Sequence, residues 1–275
     1  MNIFELTREL IDIPSLTGDE LAVGLFLARY LEGLGYRVER QELEPGRANV
    51  IATVRDALPT IVFSTHMDTV PPHIPSEEDE RFIMGRGSCD AKGIIAAQIA
   101  AAERLRAEGF NQVGLLFTVD EELGSRGADV ANTHPLARHC RYMINGEPTD
   151  NRLAVGTKGS LRLILKTRGR AAHSAYPEQG ESAIEKLLDV LADIRSLHWP
   201  RDASLGETTC NIGVIRGGTR PNVIAAEAEA DLQLRLVTEV RPVREMLEHA
   251  VMGRAEIEYL SEAAPIRLLT LDGFE

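Results

Sequence analysis

Apolar and polar positions alternate along this chain in two distinct rhythms. Residues Ile3 to Ile11 repeat at helical spacing and stop before Pro14, so a first helix is expected there. Leu21, Leu25, Phe26, Tyr30, Leu31 and Leu34 continue the same spacing in a second helix, which Gly35 is suited to end. Thr17-Gly18-Asp19-Glu20 ahead of it has the T-x-x-E form of a capping box. Strands are expected at Arg37 to Gln41, Asn49 to Val54 and Ile61 to Thr65, and further apolar runs at Val113 to Val119 and Tyr142 to Asn145. Between them, Gly93 to Ala107 is apolar nearly all round, which suits a helix buried against a sheet. Strand alternating with helix predicts an α/β fold, a doubly wound and mostly parallel sheet.

The rhythm changes near Gly159. A strand at Leu161 to Thr167, an amphipathic helix at Ser182 to Leu197, strands at Thr208 to Arg216 and Ala225 to Val237, a helix at Glu239 to Val251 and a strand at Glu256 to Leu260 follow in order. That order, βαββαβ, is the ferredoxin-like arrangement. It predicts an inserted second domain over residues 159–263, with 1–158 and 264–275 forming the first.

Composition narrows the function. Apolar residues make up 44% and charged residues 26% of the 275, as in ordinary globular proteins. A net charge of -12 argues against a nucleic-acid partner. Neither a membrane-length apolar run nor a leader pattern is evident, so a cytoplasmic protein with no membrane partner is expected. Cys89, Cys140 and Cys210 form no CxxC pair, which gives no sign of a disulfide framework or a thiolate zinc site.

The chemistry gathers where the predicted strands end. His66-Met67-Asp68, Asp90, Glu121-Glu122 and Glu147 would meet in the crevice where open α/β sheets bind ligands. Read singly, each has a plain explanation: a turn histidine, a helix N-cap at Asp90, a solvated acidic turn, an acid before Pro148. Read together, one imidazole and several carboxylates make a site for a divalent metal, zinc most readily, with cobalt and manganese as alternatives. In that reading His66 is a ligand oriented by Asp68, Asp90 bridges two ions, Glu122 binds one, and Glu121 stays unbound to carry a proton.

The stretches Ser64-Thr65-His66-Met67-Asp68-Thr69-Val70-Pro71, Gly85-Arg86-Gly87-Ser88-Cys89-Asp90-Ala91-Lys92-Gly93, Asp120-Glu121-Glu122 and Gly146-Glu147-Pro148-Thr149 resemble the dinuclear zinc amidohydrolases and exopeptidases. That family includes acetylornithine deacetylase, succinyl-diaminopimelate desuccinylase, carboxypeptidase G and aminoacylase. The resemblance implies one metal site of His66, Asp90 and Glu147, with Asp90 shared and Glu122 serving a second zinc. Glu121 would be the general base. Glutamate at position 147 is more similar to the deacylase branch than to the dipeptidases. Gly169-Arg170-Ala171-Ala172-His173-Ser174-Ala175-Tyr176-Pro177 resembles the family's lid histidine motif. His173 would then support the oxyanion in a partner subunit of a homodimer. Asn222, in a turn similar to the lid's substrate-binding turn, and Arg235 become candidates for gripping a substrate carboxylate.

The resemblance also implies a histidine from a later segment, and none follows His249. The expectation is a chain shortened at its C-terminal end, as a fragment made for expression, a natural short product or an incomplete gene prediction. Such a chain would bind at most one metal tightly, leave apolar sheet surface uncovered and be impaired. The leading function is metal-dependent hydrolysis of the amide bond in N-acyl amino acids, in the manner of a deacetylase or desuccinylase. The alternatives are a catalytically silent dimeric binding module and an aminopeptidase or dipeptidase of the same family.

Overall fold

The apolar runs of the first half assemble into a five-stranded sheet in the order β1-β2-β6-β3-β7. The computed structural model describes residues 2–54 and 58–268 and divides into two units, Met1–Asn151 and Arg152–Glu275. In the first unit α1 (Ile3–Asp12) and α2 (Leu21–Gly33) precede β1 (Arg37–Glu44), β2 (Arg47–Thr53) and β3 (Ile61–His66). A small hairpin, β4 (Glu77–Glu78) with β5 (Ile83–Met84), leads to α3 (Lys92–Ala107) and β6 (Val113–Thr118). Two short helices, α4 (Arg126–Ala131) and α5 (Pro135–His139), come before β7 (Tyr142–Asn145).

Strand β3 runs parallel to both β6 and β7, while β2 is antiparallel to β6 and to β1. Four strands therefore share one direction and β2 alone opposes them. All six residues of β6 are buried, as befits a strand covered on both faces. Leu115 and Phe117 face α1, α2 and α3, packing with Leu6, Leu27, Ile95 and Ile99. Leu116 turns the other way, toward Ala131 and Leu136 of α4 and α5. This alternation is the doubly wound sandwich that the sequence predicts.

Register then fixes where the site lies. His66 stands opposite Thr118 of β6, and Ser64 stands opposite Asn145 of β7. Two residues past Asn145, Glu147 draws level with His66. The turn after Thr118 carries Glu121 and Glu122 past the same edge.

The second unit is built on β9 (Gly159–Arg168), β12 (Thr209–Gly217), β13 (Glu227–Leu236) and β14 (Glu256–Ala263), in the antiparallel order β12-β13-β9-β14. Helices α6 (Ala183–Ser196) and α7 (Val240–Val251) cover one face. Leu161, Leu163 and Leu165 of β9 point to them, packing with Leu187, Leu191, Val243 and Leu247, while Arg162 and Lys166 face outward. The βαββαβ order is as expected, with a hairpin of β10 (Arg201–Asp202) and β11 (Gly206–Glu207) added after α6. Strands β8 (Gly156–Thr157) and β15 (Ile266–Arg267) pair with each other inside this unit. Residues 156–157 and 266–267, assigned by sequence to the first domain, thus lie in the second unit; residues 269–275 are outside those described. Among the described residues, no helix is long and apolar enough to cross a membrane.

One local expectation is overturned. Helix α2 starts at Leu21, its N-cap residue Glu20 makes no side-chain cap bond, and the Thr17 hydroxyl donates instead to Asp68. Thr17-x-x-Glu20 is not a capping box here: the Thr17 hydroxyl is engaged by Asp68, and the Glu20 carboxylate, though it accepts from the Gly18 N–H at 3.1 Å, is held mainly by Arg47.

Candidate metal centre

His66 is the last residue of β3 and is 1% exposed. Its Nδ1 lies 2.9 Å from the backbone carbonyl of Asp68, and its Nε2 lies 2.8 Å from Oδ1 of Asp90. A proton kept on Nδ1 and donated to that carbonyl would leave Nε2 free to bind a metal once its own proton is displaced, the tautomer a metal ligand requires. The sequence reading gave the orienting role to the Asp68 carboxylate. Its Oδ1 does lie 3.4 Å from Nδ1, but the shorter contact is to the backbone carbonyl.

Asp68 is fully buried, and its carboxylate is occupied by other donors. It accepts from the Thr17 hydroxyl at 2.8 Å and from the backbone N–H groups of Glu121 and Glu122 at 3.1 Å each. Burial alone would push the Asp68 carboxyl up, but His66, Thr17 and these N–H groups outweigh it and hold the group below its ordinary range. Asp68 is thus an anchor for the acidic turn and is poorly placed to bind an ion itself.

Asp90 arrives from the glycine-punctuated loop before α3. The N-cap residue of α3 is Ala91, so the N-cap reading of Asp90 does not hold. Its carboxylate, with a side chain 48% exposed, turns to His66. The Asp120–Glu122 turn is set by Asp120, whose backbone takes the left-handed conformation at φ 67°. Its carbonyl accepts from the N–H groups of Gly124 and Ser125, and its carboxylate is held by Arg47 at 2.6 Å.

The outcome is a tight set. Ligand atoms of His66, Asp90 and Glu122 all lie within 4.8 Å of one another. Glu147 borders it, with Oε2 3.9 Å from His66 Nε2, and accepts a 3.4 Å hydrogen bond from Asn145. A cavity of about 260 Å³ beside the set is lined by Thr65, His66, Thr118, Glu121, Asn145 and Glu147 among others. One imidazole nitrogen and several carboxylate oxygens in this space form a donor set that fits zinc or a similar divalent ion.

Electrostatics point the same way. Burial lowers the proton affinity of His66, yet hydrogen bonds to Asp68 and Asp90 dominate and hold its pKa up to about 10. Burial raises the carboxyls of Glu121, Glu122 and Glu147; the His66 charge pulls each back, while neighbouring carboxylates push each further up. A divalent cation bound at Nε2 would displace the proton that His66 holds below about pH 10. Cation affinity is therefore expected to rise from pH 6 to pH 8, by about tenfold per pH unit for each proton displaced. Calorimetric zinc titrations in buffers of different ionisation enthalpy measure both the affinity and the proton release. An affinity independent of pH would contradict the assignment.

The remaining sequence candidates lie in the second unit. His173 and Asn222 are neighbours there: His173 bridges to Val223, and the Asn222 carbonyl accepts from the Ser174 N–H. His173 is exposed, and its Nδ1 accepts from the Ala175 N–H at 3.1 Å. Arg235 is not with them. It pairs with Thr209 near the far end of β13, and at roughly 3.3 Å per residue the strand puts about 26 Å between it and Glu227, the end of β13 that follows the Asn222 turn. Within one chain's second unit, Asn222 and Arg235 do not make a single clamp. Residues that sequence reasoning missed are Arg47, buried against Glu20 and Asp120, and Lys92, fully buried with Nζ 2.6 Å from the Ile13 carbonyl. The available signal for Arg47 was a cation at the head of a mostly apolar, buried strand.

Comparison with known proteins places this geometry among relatives. The sequence profile described as Peptidase dimerisation domain matches residues 155–258. A Peptidase M20 domain-containing protein of Schizosaccharomyces pombe is 41% identical over 255 residues, covering 90% of this chain and 63% of that protein. A probable carboxypeptidase of Aspergillus niger is 36% identical over 259 residues, covering 83% of this chain and 62% of that protein. The chain thus spans a little over three fifths of the length of these curated relatives. In fold it is similar to aminopeptidase PepT from Bacillus cereus, with a TM-score of 0.79 at 23% identity over 98% of this chain and 78% of that one. An M20 family metallo-carboxypeptidase from Sulfolobus solfataricus gives a TM-score of 0.75 at 18% identity, over 97% of this chain and 80% of that one.

Proposed function

The chain belongs to the M20 peptidase family, and on that footing we propose that it is a metal-dependent hydrolase of the amide bond preceding a residue with a free carboxylate. N-acyl amino acids and short peptides both offer that bond, so the two substrate readings describe one chemistry. The naming of relatives as probable carboxypeptidases supports this choice over an aminopeptidase.

The observation that carries the proposal is the convergence of His66, Asp90 and Glu122 within 4.8 Å. Glu121, adjacent to Glu122 and tethered through its backbone to Asp68, lines the neighbouring cavity. His66, Asp90, Glu122 and Glu147 would hold the metal, with Asp90 shared if two ions bind. Zinc, cobalt or manganese bound there would polarise a carbonyl and acidify water. Glu121 takes the proton from the attacking water and hands it to the leaving amine, so one carboxylate serves first as base and then as acid. Its raised proton affinity suits that double duty, because the group must hold the proton between the two transfers. The second unit would mediate a homodimer, as the description of its matching profile suggests. His173 is assigned as a hydrogen-bond donor to the substrate oxyanion. Asn222 and Arg235 are assigned as separate contacts to the substrate.

A substrate panel tests this. N-acetyl amino acids and dipeptides are compared with the same compounds blocked as C-terminal amides, with zinc present and after chelation. Cleavage limited to free carboxylates and abolished by the chelator is the expected result. Tight zinc binding without turnover of any compound would overturn the hydrolase reading in favour of a binding module.

A further inference from the structure

We infer that the connection between α1 and α2, residues 13–20, positions the metal centre, with Thr17 and Glu20 as its positioning residues. The inference rests on the metal reading above and extends it to side chains that touch no ion.

This segment has no helix or strand of its own, yet its polar groups reach, directly or through Lys92 and Arg47, the loops that carry His66, Asp90 and Glu121-Glu122. Toward the loop after β3, the buried Ser15 hydroxyl donates to the Met67 carbonyl at 2.8 Å. The Thr69 N–H donates to the Ser15 carbonyl at 2.9 Å, and the Thr17 N–H to the Thr69 carbonyl at 3.2 Å. Leu16 and Thr69 form a parallel bridge between the two stretches. Toward the Asp90 loop, the Ile13 carbonyl accepts from Nζ of Lys92, two residues beyond Asp90. Toward the acidic turn, the buried Glu20 carboxylate takes two hydrogen bonds from Arg47 at 2.7 Å, and Arg47 also donates to Asp120.

Thr17 has the most direct route. Its hydroxyl donates to Oδ2 of Asp68, the oxygen that also accepts from the Glu122 N–H. The other oxygen accepts from the Glu121 N–H and lies 3.4 Å from His66 Nδ1. One buried carboxylate thus touches two proposed ligands, His66 and Glu122, and the proposed base Glu121, and Thr17 fixes that carboxylate. Helix capping does not account for the residue, because α2 begins beyond it and gains nothing from its hydroxyl. A T-x-x-E pattern that forgoes a cap worth about 1 kcal/mol serves another purpose.

Thr17→Val keeps the shape and removes the donor; Thr17→Ser restores it. Cobalt(II) is titrated into the metal-free chain while its visible absorption is followed, and thermal unfolding of each metal-free variant is recorded alongside. Thr17→Val is expected to weaken cobalt binding roughly 10- to 100-fold, the range for groups that orient metal ligands, and to alter the spectrum. Thr17→Ser is expected to recover both. Glu20→Gln, which weakens the hold on Arg47 from a different side, is expected to weaken binding as well and serves if Thr17→Val does not fold. A purely structural role would lower the melting temperature and leave affinity and spectrum of the folded chain unchanged. If the parent binds cobalt and the Thr17→Val and Glu20→Gln chains bind it equally well with the same spectrum, this inference alone is overturned. If the parent binds none, the metal reading falls and this inference falls with it.

Discussion

Replacing Glu121 with glutamine is expected to cut amide hydrolysis roughly a hundred- to ten-thousand-fold, the contribution typical of a positioned proton carrier, and to leave zinc affinity close to that of the parent. The two effects separate because Glu121 is not among the residues whose ligand atoms cluster within 4.8 Å. Its backbone N–H is bound to Asp68, so the turn is fixed without help from its side chain. Glutamine has the same shape and hydrogen-bonds well but cannot accept a proton at neutral pH. Turnover is followed by release of the free amino acid, and bound zinc by elemental analysis after dialysis. A Glu121→Gln chain that keeps more than about a tenth of the parental rate would remove Glu121 from the proposed mechanism.

The second large effect is expected at His66. His66→Ala should reduce zinc affinity by more than about 100-fold, beyond what the loss of an orienting neighbour costs, because a ligand itself is removed. It takes away the only nitrogen donor in the cluster and the partner that Asp90 touches at 2.8 Å. Glu122 and Glu147, already pushed up by burial and neighbouring carboxylates, would lose the His66 charge that pulls them back. Calorimetry of the alanine chain beside the parent gives the affinity directly. Retention of a zinc ion at parental affinity would show that the ion sits elsewhere.

Much of this molecule was legible in its sequence because burial leaves a mark on residue choice. Strand β6 is apolar throughout since both its faces are covered, and β9 alternates since only one is. Those patterns fixed which residues end each strand, and so where His66, Glu122 and Glu147 meet. Asp90 was legible through its glycine-rich setting, though its side chain faces His66 and does not cap α3. The failures share one cause: local patterns with long-range uses. Thr17 and Glu20 match a capping box, but the Thr17 hydroxyl bonds a residue 51 positions away, and Glu20, besides the Gly18 N–H, binds an arginine 27 positions away. Spacing along the chain cannot reveal such pairs. Helices α4 and α5 are six and five residues long, too short for a period to emerge. The separation of Arg235 from the Asn222 turn likewise depends on its place near the far end of β13, and no motif records that.

Asp120 has a consequence for how freely this protein can change over generations. Its left-handed backbone admits glycine, asparagine and aspartate with little strain and resists branched side chains. Its contact with Arg47 in turn demands a negative charge. Glycine and asparagine satisfy the first demand and fail the second; glutamate does the reverse. Neutral drift at this position is left with almost nowhere to go, although the residue is buried and is not one of the proposed ligands.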